Sequence, residues 1–253
     1  MMRDLVKVIE VFRSRGLSAP GYLVGALMRR LRMQRTRQAL AKSTSIRKTF
    51  SLIYESGWWD AGGESASGPG STLAFTESFR LQFEKLLADR QVRALFDAPC
   101  GDWNWMRRVN FPDGMTYVGA DIVPALVEKL KSEFENEQCS FRLFDITADP
   151  FPSSDLWLCR DCLAHLSFDD VRLALRNFAA SNVRYAALSS YITGRDNTDI
   201  ASGGFRELDL TQAPFHFPQP ELWINDWPDA HNVRRVGVWR REHIAQALAA
   251  ARH

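Results

Sequence analysis

A chain of 253 residues with 45% hydrophobic and 25% charged positions is long enough for one well-buried core and an appended segment, and its balance is that of an ordinary globular protein. No run nears the ~18 consecutive apolar residues that span a bilayer. Arg3, Asp4, Lys7 and Glu10 break up any signal-peptide core at the start, so the expected location is cytoplasmic. Cys100, Cys139, Cys159 and Cys162 do not make a disulfide framework in a chain this size, and reduced thiols are expected.

The net charge of +2 hides an asymmetry. Residues 1–50 hold twelve lysines or arginines against Asp4 and Glu10, which leaves the remainder acidic. Leu5, Val8, Ile9 and Phe12 recur at helical spacing, and after Pro20 and Gly21 so do Leu23, Leu27 and Leu31, with arginines between them. Residues 1–50 are therefore predicted to be a basic amphipathic helical extension. Its arginines either face water or make contact with an anionic surface such as lipid headgroups or nucleic acid.

From Trp58 to Ser71 the chain reads WWDAGGESASGPGS, whose glycines and proline predict an ordered loop. Ser71 or Thr72 then caps a helix running to about Arg90 that buries Phe75, Phe79, Phe83 and Leu86. Residues 51–90 thus read as a loop and helix laid over a core that occupies 91–253. In that core short apolar strands alternate with helices: strands at 92–97, 116–121, 141–146, 156–159 and 185–188, and helices at 124–134 and from Ser167. Such alternation implies a parallel sheet covered on both faces. Residues 190–232, rich in Pro, Gly, Asn and Asp, are predicted to be long loops with room for an edge strand. A last strand is expected over 233–239 and a last helix from about Arg241.

Asp97, Asp121 and Asp145 stand at or beside the ends of the first three predicted strands, 24 residues apart, about one βα unit each. Ligands of open parallel sheets bind just beyond those strand ends, so three acids there face one ligand. Gly101, in the turn after Asp97, lets the backbone come close to it. Asp121 has the paired acceptors to take both hydroxyls of a ribose, and Asp145 is placed for an adenine amine. Asp97 and the turn suit a charged amino-acid-like moiety. A nicotinamide cofactor fits poorly, because Ala98, Cys100 and Trp103 occupy the places of its glycine fingerprint and the aspartate would repel pyrophosphate.

The run LFDAPCGDWNWM resembles the first motif of class I S-adenosylmethionine-dependent methyltransferases, and YVGADIVPALVEKL resembles their second. FRLFDITADPFP and DLWLCRDCLAHLS look like the family's third and fourth strands, so the likeness covers about residues 91–190. The flanking GWWDAGGESASGPGS, NTDIASGGFRELDL and APFHFPQP resemble a bacterial subgroup with no single shared substrate. The resemblance implies an α/β fold with a Rossmann-like, doubly wound, mostly parallel sheet, here with an added N-terminal helical segment. It implies that Asp97, Ala98, Pro99 and Gly101 meet the methionine end of S-adenosylmethionine. Asp121 binds the ribose, Ile122 packs on the adenine, Asp145 and Ile146 meet its amine edge, and Arg160 lines the sulfonium region. Pro99 and Trp103 depart from the first motif, each replacing a glycine.

Trp59 and Ser71 bracket the loop expected to close over the cofactor. Asp161 and His165 follow the fourth strand where the methyl group should lie, and each is a candidate to accept a proton. Cys159, Cys162 and His165 have part of a zinc spacing but no second pair of ligands, so no metal is expected. Phe205, Arg206, Phe215, His216 and Phe217 mark the expected acceptor pocket. The reading is a methyltransferase acting on oxygen of a small molecule or saccharide. The alternatives are a catalytically silent cofactor-binding protein, or a membrane- or nucleic-acid-associated protein that acts through its basic N-terminus.

Overall fold

A computed structural model of the protein describes residues 31–43, 45–60, 63–227 and 233–250. The expected basic helices over residues 1–30 lie outside these; residues 31–40 are helical, and Thr36 Oγ1 there donates to the Arg32 carbonyl at 3.1 Å. Contacts divide the chain after Thr44, and the sheet and its helices belong to the second unit, Ser45–His253.

Helix α1, Ile46–Ser56, ends at Gly57, whose φ of 61° is the left-handed turn that glycine adopts without strain. It crosses position 50, where the sequence pattern suggests a boundary. The loop leads to α2, Leu73–Asp89, and its cap is Thr72, whose hydroxyl accepts from the Phe75 N–H. Phe79, Phe83 and Leu86 are buried along α2 as their spacing predicts, each contributing roughly 1.5–3 kcal/mol. Phe75 is half-buried instead, because it packs edge-on against Trp227 at 4.8 Å near the sheet margin.

Seven strands follow: β1 (Ala94–Asp97), β2 (Thr116–Asp121), β3 (Cys139–Leu143), β4 (Leu156–Cys159), β5 (Tyr185–Tyr191), β6 (Leu222–Trp227) and β7 (Arg234–Arg240). Their order is β3-β2-β1-β4-β5-β7-β6, with β7 antiparallel to both neighbours and the other pairs parallel. The Rossmann-like α/β architecture expected from the sequence is therefore present. Strand β6 lies within the span predicted to be mainly loop. Strand β3 stops at Leu143, two residues short of Asp145.

Alternate side chains of the strands feed two cores. Leu95, Leu156 and Leu158 pack with α2 and with α3, Pro124–Phe134. Phe96, Trp157 and Cys159 pack with α4, Phe168–Ala179, and α5, Arg241–Ala250. Ser167 caps α4 by accepting from the Asp170 N–H at 3.2 Å, as its sequence predicts. Neighbours β1 and β4 are reached from opposite directions, since the chain first goes out to β2 and β3 and then returns. The crevice at such a switch point is where this architecture binds ligands.

Candidate active site

A cavity of about 430 Å³ opens at that crevice. Asp97 ends β1 and is 2% exposed; its Oδ2 accepts from the Tyr117 hydroxyl at 2.8 Å. Burial pushes its carboxyl up to about 8 against that hydrogen bond and the charge of Arg160, with Asp121 adding to the rise. Asp121 ends β2, and its two oxygens take the backbone N–H groups of Val123 at 3.0 Å and Gly101 at 3.2 Å. Burial outweighs those bonds and lifts it to about 6. Asp145 Oδ1 accepts from the N–H and the hydroxyl of Thr147, which fixes the carboxylate just beyond β3. Pro99, Gly101, Ile122, Ile146, Trp59 and Ser71 complete this half of the wall.

Every residue that the sequence places in the cofactor and catalytic site lines the cavity except Ala98. Ala98 is a correction. It is 1% exposed within the core, and its N–H and carbonyl are engaged by the Leu158 carbonyl and the Trp157 indole. Trp103 has a left-handed backbone, with φ 58°, and packs its ring outside the cavity lining on Tyr117, Phe134 and Phe141. Such a conformation costs roughly 1–2 kcal/mol in a side-chain-bearing residue; indole burial offsets it.

Three residues that the sequence motifs do not single out tie the loop to the first turn. Asp102 Oδ2 accepts from the Ala66 N–H at 2.7 Å, and Asn104 donates to Glu64 Oε1 and to the Ser71 carbonyl, each at 3.0 Å. Glu64 Oε1 also accepts from the Leu73 N–H at the start of α2. The polar side chains flanking the first-motif glycine were the available signal. Further residues missed from sequence are Ile46, Phe50 and Tyr54, which line the cavity at four-residue spacing along α1.

Beyond β4, Arg160 lines the cavity but its guanidinium lies over Phe79 and Trp105, bonded to Asp226 Oδ1 and to the Gly70 carbonyl. Asp161 follows. Burial would raise its carboxyl, but the pull led by the Arg234 guanidinium, with Arg160 adding to it, overcomes that and holds it below the usual range. His165 Nδ1 lies 2.7 Å from the Gly204 carbonyl, and its ring sits between Trp59 and Phe205, with centroids at 4.8 and 5.5 Å. Among the expected acceptor residues only Phe205 lines the cavity. Phe215 and Phe217 are buried in the core, Arg206 is buried and donates to the Leu166 carbonyl, and His216 is not in the wall. Phe215 packs on Phe168 at the start of α4 and Phe217 on Trp239 of β7 instead, which apolar burial favours over display to solvent.

Residues 96–181, from β1 through α4, match the family model of a methyltransferase domain. The chain carries an S-adenosylmethionine-dependent methyltransferase domain.

No curated protein sequence matches the methyltransferase. Among solved structures, PigF with S-adenosylhomocysteine superposes with a TM-score of 0.55 at 14% identity, over 84% of this chain and 68% of that one. Human N-acetylserotonin methyltransferase with S-adenosylmethionine gives 0.47 at 14%, over 83% and 66%. The methyltransferase domain of bacterial CtHen1 gives 0.49 at 12%, over 66% and 99%. At these identities the likeness to PigF speaks for the fold.

The cavity of this methyltransferase suits its cofactor. Asp97, Asp121 and Asp145 share the cavity lining, and burial lifts the first two, for Asp97 against the charge of Arg160 and for Asp121 against backbone hydrogen bonds. Carboxylates in that state favour a cationic ligand, and a sulfonium with an ammonium group is one. Among the described residues no cluster of three or more metal-ligating side chains forms, and no helix is long and apolar enough to cross a membrane.

Proposed function

We propose that the enzyme methylates an oxygen of a small hydroxylated acceptor, with His165 as the proton acceptor. The observation that carries this reading is the hydrogen bond of His165 Nδ1. A carbonyl oxygen only accepts, so Nδ1 bears the proton and Nε2 of the neutral ring keeps its lone pair. A base held in this way at the wall beyond β4 takes the proton an attacking hydroxyl loses.

Asp97 would hold the cofactor's ammonium, with the Pro99–Gly101 turn against the methionine tail and Asp121 on the ribose hydroxyls. Ile122 and Ile146 would sandwich the adenine, Asp145 would accept from its amine, and Trp59 and Ser71 would close from above. When bound, S-adenosylmethionine supplies an electrophilic methyl group and a neutral thioether leaving group. The protein's own share is to exclude water and to align acceptor oxygen and methyl carbon, which supplies much of the acceleration. Asp161, kept ionised by Arg234, orients rather than accepts.

The test is a pair of variants. Asp121→Ala should weaken S-adenosylhomocysteine binding by roughly tenfold or more, at the ~1.5–3 kcal/mol of hydrogen bonds to a charged group. His165→Gln should leave that affinity unchanged and lower kcat by about 10²–10⁴. A His165→Gln enzyme of undiminished kcat would remove the base assignment.

A further inference from the structure

Four charged side chains are linked across the half of the cavity beyond β4. Arg160 places Nε and Nη2 on Asp226 Oδ1 at 3.0 and 2.7 Å. Arg234, from the start of β7, places Nε on Asp226 Oδ2 at 2.8 Å and pairs Nη1 with Asp161 Oδ1. The side chains of Asp226, Arg160 and Arg234 are 0%, 3% and 2% exposed. One nitrogen is left over: Arg234 Nη2 is buried with no hydrogen-bond partner of normal geometry among the described residues, although Arg234 lines the cavity together with Tyr191, whose phenol interacts with its guanidinium. An unpaired buried donor costs about 1–3 kcal/mol, more when charged, so a ligand atom that accepts from it recovers that loss.

A second observation locates the unpaired donor. A Cβ placed on Gly70 would fall 2.9 Å from Asp161 Oδ2 and 3.4 Å from Arg234 Nη2. Both atoms therefore lie close beneath Gly70 in the loop. Gly70 is not among the glycines of positive φ, so its backbone does not require glycine; the space over the pair does. Donor and acceptor residues both line the cavity, and both atoms are covered on the loop side by Gly70.

The charges decide what fits there. Two guanidiniums and two carboxylates leave the set neutral. An anion drawn to Nη2 would meet Asp161 Oδ2, and a cation drawn to Asp161 would meet Arg234, in a pocket with little water to screen either. A neutral group that accepts and donates at one atom satisfies both. We propose that Arg234 Nη2 and Asp161 Oδ2 recognise a hydroxyl of the acceptor other than the one methylated: the N–H donates to its oxygen, and its O–H donates to the carboxylate. The acceptor is then a diol, with one hydroxyl turned to His165 and one held by this pair. Arg234 is thereby a specificity-determining residue. The inference rests on the reading that the acceptor occupies this half of the cavity.

The probes are matched pairs titrated calorimetrically into the full-length protein saturated with S-adenosylhomocysteine: catechol against 2-methylphenol, and a methyl pyranoside against its 2-deoxy counterpart, with benzoate as the anion. In the wild type, one diol should bind about tenfold tighter than its partner lacking a hydroxyl. Arg234→Lys keeps the charge but not the forked N–H and should erase that preference while leaving S-adenosylhomocysteine affinity unchanged. Gly70→Ala, which crowds the pair and retains all four charges, should reduce the preference as well and stands in should Arg234→Lys fold poorly. Absence of a diol preference in both pairs, a preference that survives in both variants, or benzoate binding above either diol would overturn the proposal. Failure of the wild type to bind S-adenosylhomocysteine would instead strike the cofactor reading, so the two failures are separable.

Discussion

Ser67 and Asp102 clasp one another across the mouth of the cavity. The Ser67 hydroxyl accepts the Asp102 N–H at 2.9 Å, and the Asp102 carboxylate accepts the N–H of Ala66, the residue before Ser67. Each side chain therefore satisfies backbone at or beside the other, and the loop is tied to the turn that follows β1. A Cβ on Gly101 would fall 2.5 Å from Ser67 Oγ, so the contact tolerates no side chain there. Asp102→Ala should free the loop without disturbing the sheet. The expected result is faster release of S-adenosylhomocysteine and a Kd weaker by about tenfold, the ~1.5 kcal/mol of a hydrogen bond to a charged group. Stopped-flow fluorescence from Trp59 and Trp105 reads the release; an unchanged off-rate would show that the clasp does not gate the site.

Trp103 sets backbone strain against packing. Replacing it with glycine removes about 1–2 kcal/mol of left-handed strain but empties a site enclosed by three aromatic rings, a loss of about 3–5 kcal/mol. Packing outweighs strain, so Trp103→Gly should lower stability by about 1–4 kcal/mol in urea denaturation, toward the low end because the indole Nε1 is buried with no hydrogen-bond partner among the described residues. Cofactor affinity of the folded variant should stay the same, because the indole packs outside the cavity lining. A stabilised variant would mean that the strain exceeds the packing gain.

These two cases mark what could be read from the sequence. The strand-end acids were legible because three carboxylates at one βα spacing state both the topology and its ligand edge. Trp103 was legible as a departure, but not its resolution: that depended on whether Phe134 and Phe141, distant in sequence, left an indole-sized space. Ala98 was misplaced because a family motif assigns backbone positions, whereas the Trp157 indole competes for the Ala98 carbonyl. The acceptor half was least legible. Phe215 and Phe217 have the same composition whether they line a pocket or fill a core, and only the packing of the loop on α4 and β7 decides. Arg234 and Asp226 reach the site because β6 and β7 join the sheet beside β5, a pairing that no local pattern announces.

Asp226 compensates two buried guanidiniums at once. Asp226→Ala would strand Arg160 and Arg234 without a shared counter-charge. Removing one member of a buried ion pair typically costs 3–5 kcal/mol, and the expected loss in chemical denaturation is about that much. It should exceed the effect of Lys85→Ala, which breaks an exposed pair worth roughly 0–1 kcal/mol. Equal losses in the two variants would mean that water enters the Asp226 site.

The raised carboxyls of Asp97 and Asp121 make both stability and cofactor affinity depend on pH. In the free protein these groups sit at about 8 and about 6, above their ordinary value of 3.8. The folded state therefore binds more protons than the unfolded chain between about pH 4 and pH 8. Their contribution to stability is fully present below that window and is lost as pH rises through it. Cofactor binding runs the other way. An ammonium beside Asp97 favours the carboxylate, so binding at pH 7 should expel a proton, and affinity should climb with pH until about 8. Titration with S-adenosylhomocysteine at pH 7 in phosphate and in Tris should give enthalpies that differ by the difference between the two buffers' ionisation enthalpies, scaled by the protons released. Asp97→Asn, which fixes a neutral group at that position, should remove most of the difference along with much of the affinity. Identical wild-type enthalpies in the two buffers would mean that Asp97 is already ionised in the free enzyme.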